Sequence, residues 1–221
     1  MKKIFDKFKR KDNWMNPVTN LGVSNSRTNN TIFRPSIGLQ KQTLQGMYRS
    51  DGIAKRIVNS VVDDSLREFI NAESELLEEL KRVKAKQAMF DAGSFGRLYG
   101  GALLVAFVDD GQELSEPLNH GRIHRVVSLQ VFDRYQVRWA DDDICKDFYQ
   151  EHYGQPEIFT ISKQQNSMAT SDEMYFRVHR SRCFSFGGDR LCNNSLLNNR
   201  GWEDSVLQAC YILLPHQRQA I

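Results

Sequence analysis

The chain has 221 residues, with 30 Lys and Arg against 27 Asp and Glu, and 40% of its residues are hydrophobic. These values are ordinary for a globular protein, so they exclude a collagen-like, mucin-like or fully disordered chain. The length suffices for one sizeable core. Residues 1–50 hold ten basic and two acidic residues, whereas residues 51–221 hold twenty basic and twenty-five acidic ones. The sequence therefore joins a basic head to an acidic body.

Residues 1–45 are predicted to form a flexible basic arm, because residues 13–45 are rich in Asn, Ser, Thr and Gln and show no hydrophobic period. The start of the chain lacks the continuous apolar stretch of a signal peptide. Its basic side chains are candidate contacts with DNA or a capsid: Lys2, Lys3, Lys7, Lys9, Arg10 and Lys11. Residues 46–221 form the predicted body, which we expect to be truncated because its last helix is still apolar near Ile221.

The predicted elements of the body begin with two helices, from about Asp51, a candidate N-cap, to Phe69 and from about Ala72 to Gly93. A short glycine-rich segment follows. Strands are then predicted over residues 102–108, 128–139 as a pair broken at Asp133-Arg134, 157–162, 174–179 and 182–186. A final helix is expected over residues 203–214. Helices, then strands, then a helix predict an α+β fold.

Cofactor and metal patterns are missing from the sequence. The four cysteines form no CxxC pair and no zinc-knuckle spacing with histidine, so we expect free thiols and neither metal nor cofactor. The glycines of residues 93–101 precede a strand and lack a following Lys-Ser/Thr, so they favour close helix–strand packing over a phosphate loop. The run Asp141–Asp143 predicts a solvated loop rather than a metal site. No apolar run approaches the ~18 residues of a membrane helix, so no membrane partner is expected.

Catalytic patterns are incomplete as well. His179-Arg180-Ser181 resembles one half of a two-histidine phosphodiesterase motif, but the sequence holds no second half. We therefore expect a protein that is not an enzyme. If the strand around this segment is continuous, Arg180 and Arg182 share one face. Two uses stay open for that face: pairing with acids of a neighbouring subunit, which we favour, and binding a phosphate.

Several segments, taken in order along about residues 47–214, resemble the phage portal proteins. They include RSDGIAKRIVNSVVDDSLREF, VFDRYQV and YGQPEIFTI. The ordered motifs include an Arg-x-Tyr-Gly-Gly-Ala step into a strand, a Gly-x-Pro before a strand, a His-x-Ser-Arg before another and a Gly-Trp-x-x-Ser that opens a helix. The residues that carry the resemblance are Arg97, Tyr99, Gly100, Gly101, Asp133, Arg134, Gly154, Pro156, His179, Ser181, Arg182, Gly187, Gly188, Gly201, Trp202 and Ser205. No single motif is specific, but the ordered set is.

The resemblance implies a structural role. Portal proteins form a homo-oligomeric ring, usually a dodecamer, at one capsid vertex, and double-stranded DNA passes through the ring during packaging and ejection. Implied partners are capsid and scaffold proteins, the terminase and the DNA. The implied location is the virion, with the host cytoplasm during assembly. The body would be the outer portal wing, and full family members continue into channel-lining parts.

Two alternatives to a portal subunit remain. Some relatives of this N-terminal region are similar to an anti-CBASS phosphodiesterase, which degrades cyclic oligonucleotide signals, so a nucleotide-acting phosphodiesterase is the first. A DNA-binding module that uses the basic arm is the second. For the portal subunit, a ring needs two different contact patches on each copy. The charged helix over residues 73–86 and the strand with Arg180 and Arg182 are the candidates.

Overall fold

The computed structural model of the chain describes residues 38–163 and 174–211. The described residues belong to one compact unit. The six basic side chains of the predicted arm, and residues 212–214 of the predicted last helix, lie outside the described residues. None of the helices in the described ranges has the length and apolar character needed to cross a membrane.

The described residues form an α+β fold, as predicted. The helices are α1 (Lys41–Ser50), α2 (Gly52–Ser65), α3 (Ser74–Arg82), α4 (Ala85–Tyr99) and α5 (Asn193–Asn198). The strands are β1 (Gly101–Asp109), β2 (Arg125–Asp133), β3 (Val137–Arg138), β4 (Ile158–Lys163), β5 (Met174–His179) and β6 (Cys183–Gly187). Helices thus precede antiparallel strands, and a short C-terminal helix follows them.

Helix α2 begins where the sequence predicts. The side chain of Asp51 accepts hydrogen bonds from the backbone N–H groups of Ile53, at 2.9 Å, and Ala54, at 3.4 Å, and so satisfies two donors of the first turn. Helix α1, directly before it, was not predicted. Its buried anchor is Leu44, and the polar residues around this leucine hide the hydrophobic period from sequence inspection.

The second predicted helix is divided in two. Lys84 adopts a left-handed backbone conformation with φ of 53°, which ends α3 and starts α4 in a new direction. Helix α4 then continues through the glycines that were predicted to end it, and stops at Gly100. A Cβ atom on Gly96 would lie 2.9 Å from the carbonyl oxygen of Gly187, so this glycine lets α4 approach β6 closely. The predicted packing of helix on strand is confirmed.

The strands form two three-stranded antiparallel sheets, in the orders β2–β1–β6 and β3–β4–β5. The chain passes from the first sheet to the second over residues 134–136, and back again over residues 180–182. The predicted break at Asp133-Arg134 is therefore confirmed, and it separates strands of different sheets.

The core is layered around β1, which is buried on both faces. Leu103 and Val105 pack toward Ile161 of the second sheet. Leu104, on the other face of β1, packs on Ala92 of α4. This alternation follows from the two-residue period of a strand, and burial on both faces explains the continuous apolar stretch of β1. Each fully buried side chain of this size contributes about 1.5–3 kcal/mol.

The helix predicted over residues 203–214 does not form within residues 203–211, where the chain makes a β-bridge and turns. Asp204 pairs with Asp189, and the backbone N–H of Val206 donates to the carbonyl oxygen of Arg97 at 3.0 Å. These backbone groups are therefore bound by other segments and cannot form a helical ladder. Leu207 is buried against Leu44 and Leu98, so the apolar pattern serves the core in a different backbone form.

The junction of α4 and β1 should not tolerate a side chain. A Cβ atom on Gly101 would overlap the Trp202 ring, closer than van der Waals contact allows. We expect Gly101→Ala to lower the free energy of unfolding by about 1–3 kcal/mol, as overpacking does. Gly46→Ala is the matched control, because a Cβ atom there meets no atom within 4 Å. It should raise the free energy of unfolding by about 0.5–1 kcal/mol. Urea denaturation measures both, and equal changes would contradict the packing argument.

Candidate functional site

The segment from His179 to Arg182 forms a corner between β5 and β6. Arg180–Arg182 is a 3₁₀ turn, and the ring nitrogen Nδ1 of His179 accepts a hydrogen bond from the backbone N–H of Ser181 at 3.2 Å. The two strands predicted on either side of this segment are separate, because the chain changes sheets between them. Arg180 and Arg182 consequently do not share a strand face.

Arg182 is part of a buried ion pair. Its side chain and that of Asp110 are both fully inaccessible to solvent, with 2.7 Å between Nη2 and Oδ2. Its Nε donates to the carbonyl oxygen of Glu116 at 3.2 Å. Nη1 finds no hydrogen-bond partner among the described residues. Because its side chain is fully enclosed, Arg182 can neither pair with acids of a neighbouring subunit nor bind a phosphate, the two uses predicted for it.

Asp110 organises the connection between β1 and β2. Besides Arg182, its carboxylate accepts from the backbone N–H of Asn119 at 2.9 Å and of Gln112 at 3.3 Å. These hydrogen bonds, the one from Asn119 foremost, lower the pKa of Asp110 to about 2. Gly111 follows with φ of 73°, so the predicted turn at Asp109-Asp110-Gly111 is present.

Ser181 and His179 form a hydroxyl–imidazole pair. Ser181 Oγ lies 2.9 Å from Nδ1 of His179 and accepts the backbone N–H of Leu118 at 2.8 Å. Burial lowers the pKa of His179, as do the charges of Arg182 and His152, while Glu157 opposes them. The lowered pKa favours the neutral imidazole at neutral pH, and its Nδ1 faces both the backbone N–H and the hydroxyl of Ser181. The 2.9 Å between Ser181 Oγ and His179 Nδ1 is a separation typical of a nucleophile and its base. The other ring nitrogen, Nε2, has no hydrogen-bond partner within residues 38–163 and 174–211.

A second polar cluster, formed by Cys145, His152 and Glu157, adjoins this corner. The thiol sulfur, an imidazole nitrogen and a carboxylate oxygen all lie within 4.8 Å of one another. His152 Nε2 is 3.3 Å from Glu157 Oε1. The hydrogen bond from Cys145, followed by His152, lowers the pKa of Glu157, whereas burial raises the pKa of Cys145. The backbone N–H of Arg180 donates to the Glu157 carbonyl oxygen at 2.7 Å, which connects the two clusters.

Sequence reasoning missed this cluster because its members are not spaced like a known zinc motif. Six residues separate Cys145 from His152, and four separate His152 from Glu157. The available signal was Gly154-x-Pro156, which the resemblance to portal proteins singled out as a motif before a strand. Gly154 has φ of 75°, and Pro156 forms a β-bridge with Ile144, so the turn folds His152 back toward Cys145.

Three other residues singled out by sequence make structural contacts between elements. Arg97 donates from Nε and Nη2 to the carbonyl oxygens of Val58 and Ile57, each at 3.0 Å, and so fastens α4 to α2. Asp133 pairs with Lys41 at 3.0 Å. Arg134 donates from Nη1 to the Glu203 carbonyl oxygen at 2.9 Å.

The remaining singled-out residues surround the junction of α4 with the first sheet, apart from the turn residue Gly201, which lies beside Trp139. Glycines at the junction leave room for neighbouring backbone and rings, Tyr99 packs in the helical core, and the hydroxyl of Ser205 accepts the backbone N–H of Leu207 at 3.2 Å. The junction residues are Tyr99, Gly100, Gly101, Gly187, Gly188, Trp202 and Ser205. They bring the segments together and do not form a reactive group.

A cleft beside this junction has a different chemistry. It encloses about 640 Å³ and is lined by Arg134, Arg138, Arg200, Trp139 and Trp202, among others. The two tryptophan rings lie 5.6 Å apart between their centroids. Arginines with aromatic rings suit a ligand that has both phosphates and bases.

A family model described as phage portal protein matches residues 42–217. The chain belongs to the phage portal protein family. The resemblance drawn from the ordered segments is thereby confirmed, and a portal-related role with it. Most of the singled-out residues of this portal-family chain lie at or near the ends of its helices and strands.

Two curated relatives of this portal-family chain are both named Anti-CBASS protein Acb1. One, from Caulobacter sp. (strain RHG1), is 28% identical over 206 residues, which cover 88% of this chain and 31% of the relative. The other, from Sphingomonas paeninsulae, is 26% identical over 208 residues, which cover 90% of this chain and 32% of the relative. The chain thus spans about a third of the length of each relative.

The prediction that this portal-family chain is not an enzyme is contradicted by these relatives. Their shared name is that of the anti-CBASS proteins, the group that the sequence had connected with a phosphodiesterase. The prediction rested on the missing second His-x-Ser/Thr motif. A missing motif is a weak ground for exclusion, because catalytic groups are recognised by their geometry rather than by their sequence positions.

The buried ion pair should make the free energy of unfolding depend on pH. The pKa of Asp110 is about 2 in the folded chain and about 3.9 for an unfolded Asp, so its contribution is fully present above the unfolded value. The contribution is lost as the pH falls through the folded value. We expect Asp110→Asn to unfold at lower urea concentration at neutral pH, because Arg182 is left buried without its partner. Between about pH 4 and pH 2 the difference from the wild type should shrink. A difference that is constant with pH would contradict the assignment.

Proposed function

We propose that this chain forms the wing of a portal ring subunit, through which double-stranded DNA enters and leaves a capsid. The family match over residues 42–217 is the observation that carries the proposal. The ring is dodecameric, and the subunit acts at the portal vertex of the virion after assembly in the host cytoplasm. Capsid and scaffold proteins and the terminase are the partners. The division at residue 45 into arm and body, and the arm's contacts with DNA or capsid, belong to the same proposal.

A ring built from head-to-tail contacts needs two different exposed patches on each copy. Helix α3 supplies one, because none of its residues is buried and its ends carry opposite charges. The loop between β3 and β4 supplies the other in place of the enclosed Arg182. At the tip of this loop, Phe148 is 77% exposed and Tyr149 is 99% exposed. Large aromatic side chains in water at a loop tip are typical anchors of a protein contact.

Ring formation can be measured by native mass spectrometry and negative-stain imaging of the chain, expressed together with any coding sequence that continues it. We expect closed rings of one stoichiometry. Tyr149→Ser should shift the population toward free subunits at least tenfold, because an aromatic anchor in a protein contact contributes about 2 kcal/mol or more.

The matched control is Tyr175→Ser, which removes a tyrosine that is 52% exposed but lies on β5, away from the loop tip. This variant should assemble as the wild type does. Persistent monomers of the wild type would overturn the ring proposal. Equal loss of rings in both variants would overturn the role of the loop tip.

An anti-CBASS activity on cyclic oligonucleotides is the second candidate function. The name of the two curated relatives favours it, and so does the pairing of Ser181 with a neutral His179 at 2.9 Å. In this function, Nδ1 of His179 takes the serine proton while the serine oxygen attacks the phosphorus, and the bond from phosphorus to the leaving ribose oxygen breaks as the imidazolium returns the proton to that oxygen. Water then hydrolyses the serine–phosphate bond, which releases the product and restores the hydroxyl. The arginine-lined cleft is available for the phosphates of the substrate.

Hydrolysis of cyclic oligonucleotides by the purified chain, followed by chromatography, tests the second candidate. His179→Ala should lower the rate by at least 100-fold, as loss of a general base does. The control is His124→Ala, which changes an exposed histidine. If the wild type hydrolyses no cyclic oligonucleotide, or if His179→Ala and His124→Ala hydrolyse it at equal rates, this candidate function is wrong.

A further inference from the structure

We propose that Cys145, His152 and Glu157 form a binding site for a divalent cation of the zinc class, with a fourth position open to water. The three donor groups belong to one loop between β3 and β4. Their sulfur, nitrogen and oxygen atoms already converge within 4.8 Å of one another. This inference is independent of both proposed functions.

The separations fit a tetrahedral ion. With zinc–sulfur bonds of about 2.3 Å and zinc–nitrogen or zinc–oxygen bonds of about 2.0–2.2 Å, neighbouring ligand atoms lie roughly 3.3–3.6 Å apart. His152 Nε2 and Glu157 Oε1 are 3.3 Å apart, within that range. The remaining separations are at most 4.8 Å. Side-chain rotations that move the ligand atoms by about 1 Å therefore bring all three within bonding distance of one zinc ion.

The backbone of the loop holds the ligands in place. The N–H of Cys145 donates to the carbonyl oxygen of Gln155, and the carbonyl oxygen of Cys145 accepts from Gly154, both at 2.9 Å. The N–H of Glu157 donates to the carbonyl oxygen of Asp143 at 2.7 Å. Cys145 and Glu157 are therefore fixed on facing legs of the loop, and His152 lies on the returning side of its tip.

The donor set selects the kind of ion. A thiolate and an imidazole favour zinc or a similar borderline cation, whereas magnesium and calcium prefer oxygen ligands throughout. Cys145 is 3% exposed, so one side of the site is closed to water. The His152 side chain is 28% exposed and that of Glu157 is 39% exposed, so an ion can enter between them. On binding, the thiol proton passes to solvent and the sulfur coordinates as thiolate.

Such an ion would brace the loop that carries the exposed aromatic tip. Phe148 stacks on Tyr153 with 4.4 Å between ring centroids, and this pair and Tyr149 project from the loop between Cys145 and Glu157. Cross-linking the two legs through a metal reduces local opening of the loop. Cleavage by chymotrypsin after Phe148 or Tyr149 should therefore slow when the metal is bound.

The test titrates the full, untagged chain with Zn²⁺ alone and with Co²⁺ alone after treatment with a chelator. We expect one equivalent to bind, with thiolate-to-cobalt charge-transfer absorption and the strong visible bands of tetrahedral cobalt. Cys145→Ala should abolish the charge-transfer absorption. His152→Gln and Glu157→Gln should each weaken binding at least tenfold and remove the metal's protection against chymotrypsin.

Cys192→Ala and His124→Gln are the matched controls, since each changes the same residue type at an exposed position outside the cluster. Both should bind as the wild type does. If Cys145→Ala fails to fold, His152→Gln still decides the question, because its side chain is partly exposed. Absence of stoichiometric binding in the wild type, or unchanged binding in His152→Gln and Glu157→Gln, would overturn the proposal.

Discussion

The buried ion pair between Arg182 and Asp110 is the constraint on which the polar side of this body depends. Both side chains are wholly enclosed, and a guanidinium in that environment requires its carboxylate partner. The pair holds the return from the second sheet to the first against the connection between β1 and β2. Because Asp110 also accepts two backbone N–H groups, the same carboxylate determines the form of that connection. One interaction thus fixes two loops that are distant in sequence.

From this pair, polar groups continue along the ends of β4 and β5. His179 ends β5 and Ser181 follows two residues later, and the backbone N–H of Arg180 donates to Glu157, directly before β4. Glu157 in turn contacts His152 and Cys145. A hydroxyl–imidazole pair and a set of potential metal ligands therefore meet at one end of the second sheet, where β4 begins and β5 ends. Gly100, Gly101, Gly187 and Gly188 of the family pattern lie instead in the packed junction, and Trp202 packs against it while lining the neighbouring cleft.

The strands and the fold class could be predicted because each strand is a short apolar run between turn residues. The division of α3 from α4 could not, since a left-handed Lys84 leaves no mark in composition. The prediction of a last helix was wrong within residues 203–211. Leu207 and its neighbours have the apolar content of a buried helix, but backbone groups of this segment bind other segments instead. At the site, His179 and Ser181 were found from their spacing. The burial of Arg182 depends on its contact with Asp110, 72 positions away, and the convergence of Cys145 with Glu157 depends on how one loop folds back, so neither follows from a local pattern.

The two sheets are joined by three-residue connections at residues 134–136 and 180–182. Four Cα-to-Cα steps separate the strand ends at each connection, so neither can stretch beyond roughly 14 Å. Two such tethers, with the shared core between the sheets, leave little freedom for one sheet to slide over the other. A mechanical load applied to one sheet is therefore transmitted to the other through two short tethers and the core that the sheets share.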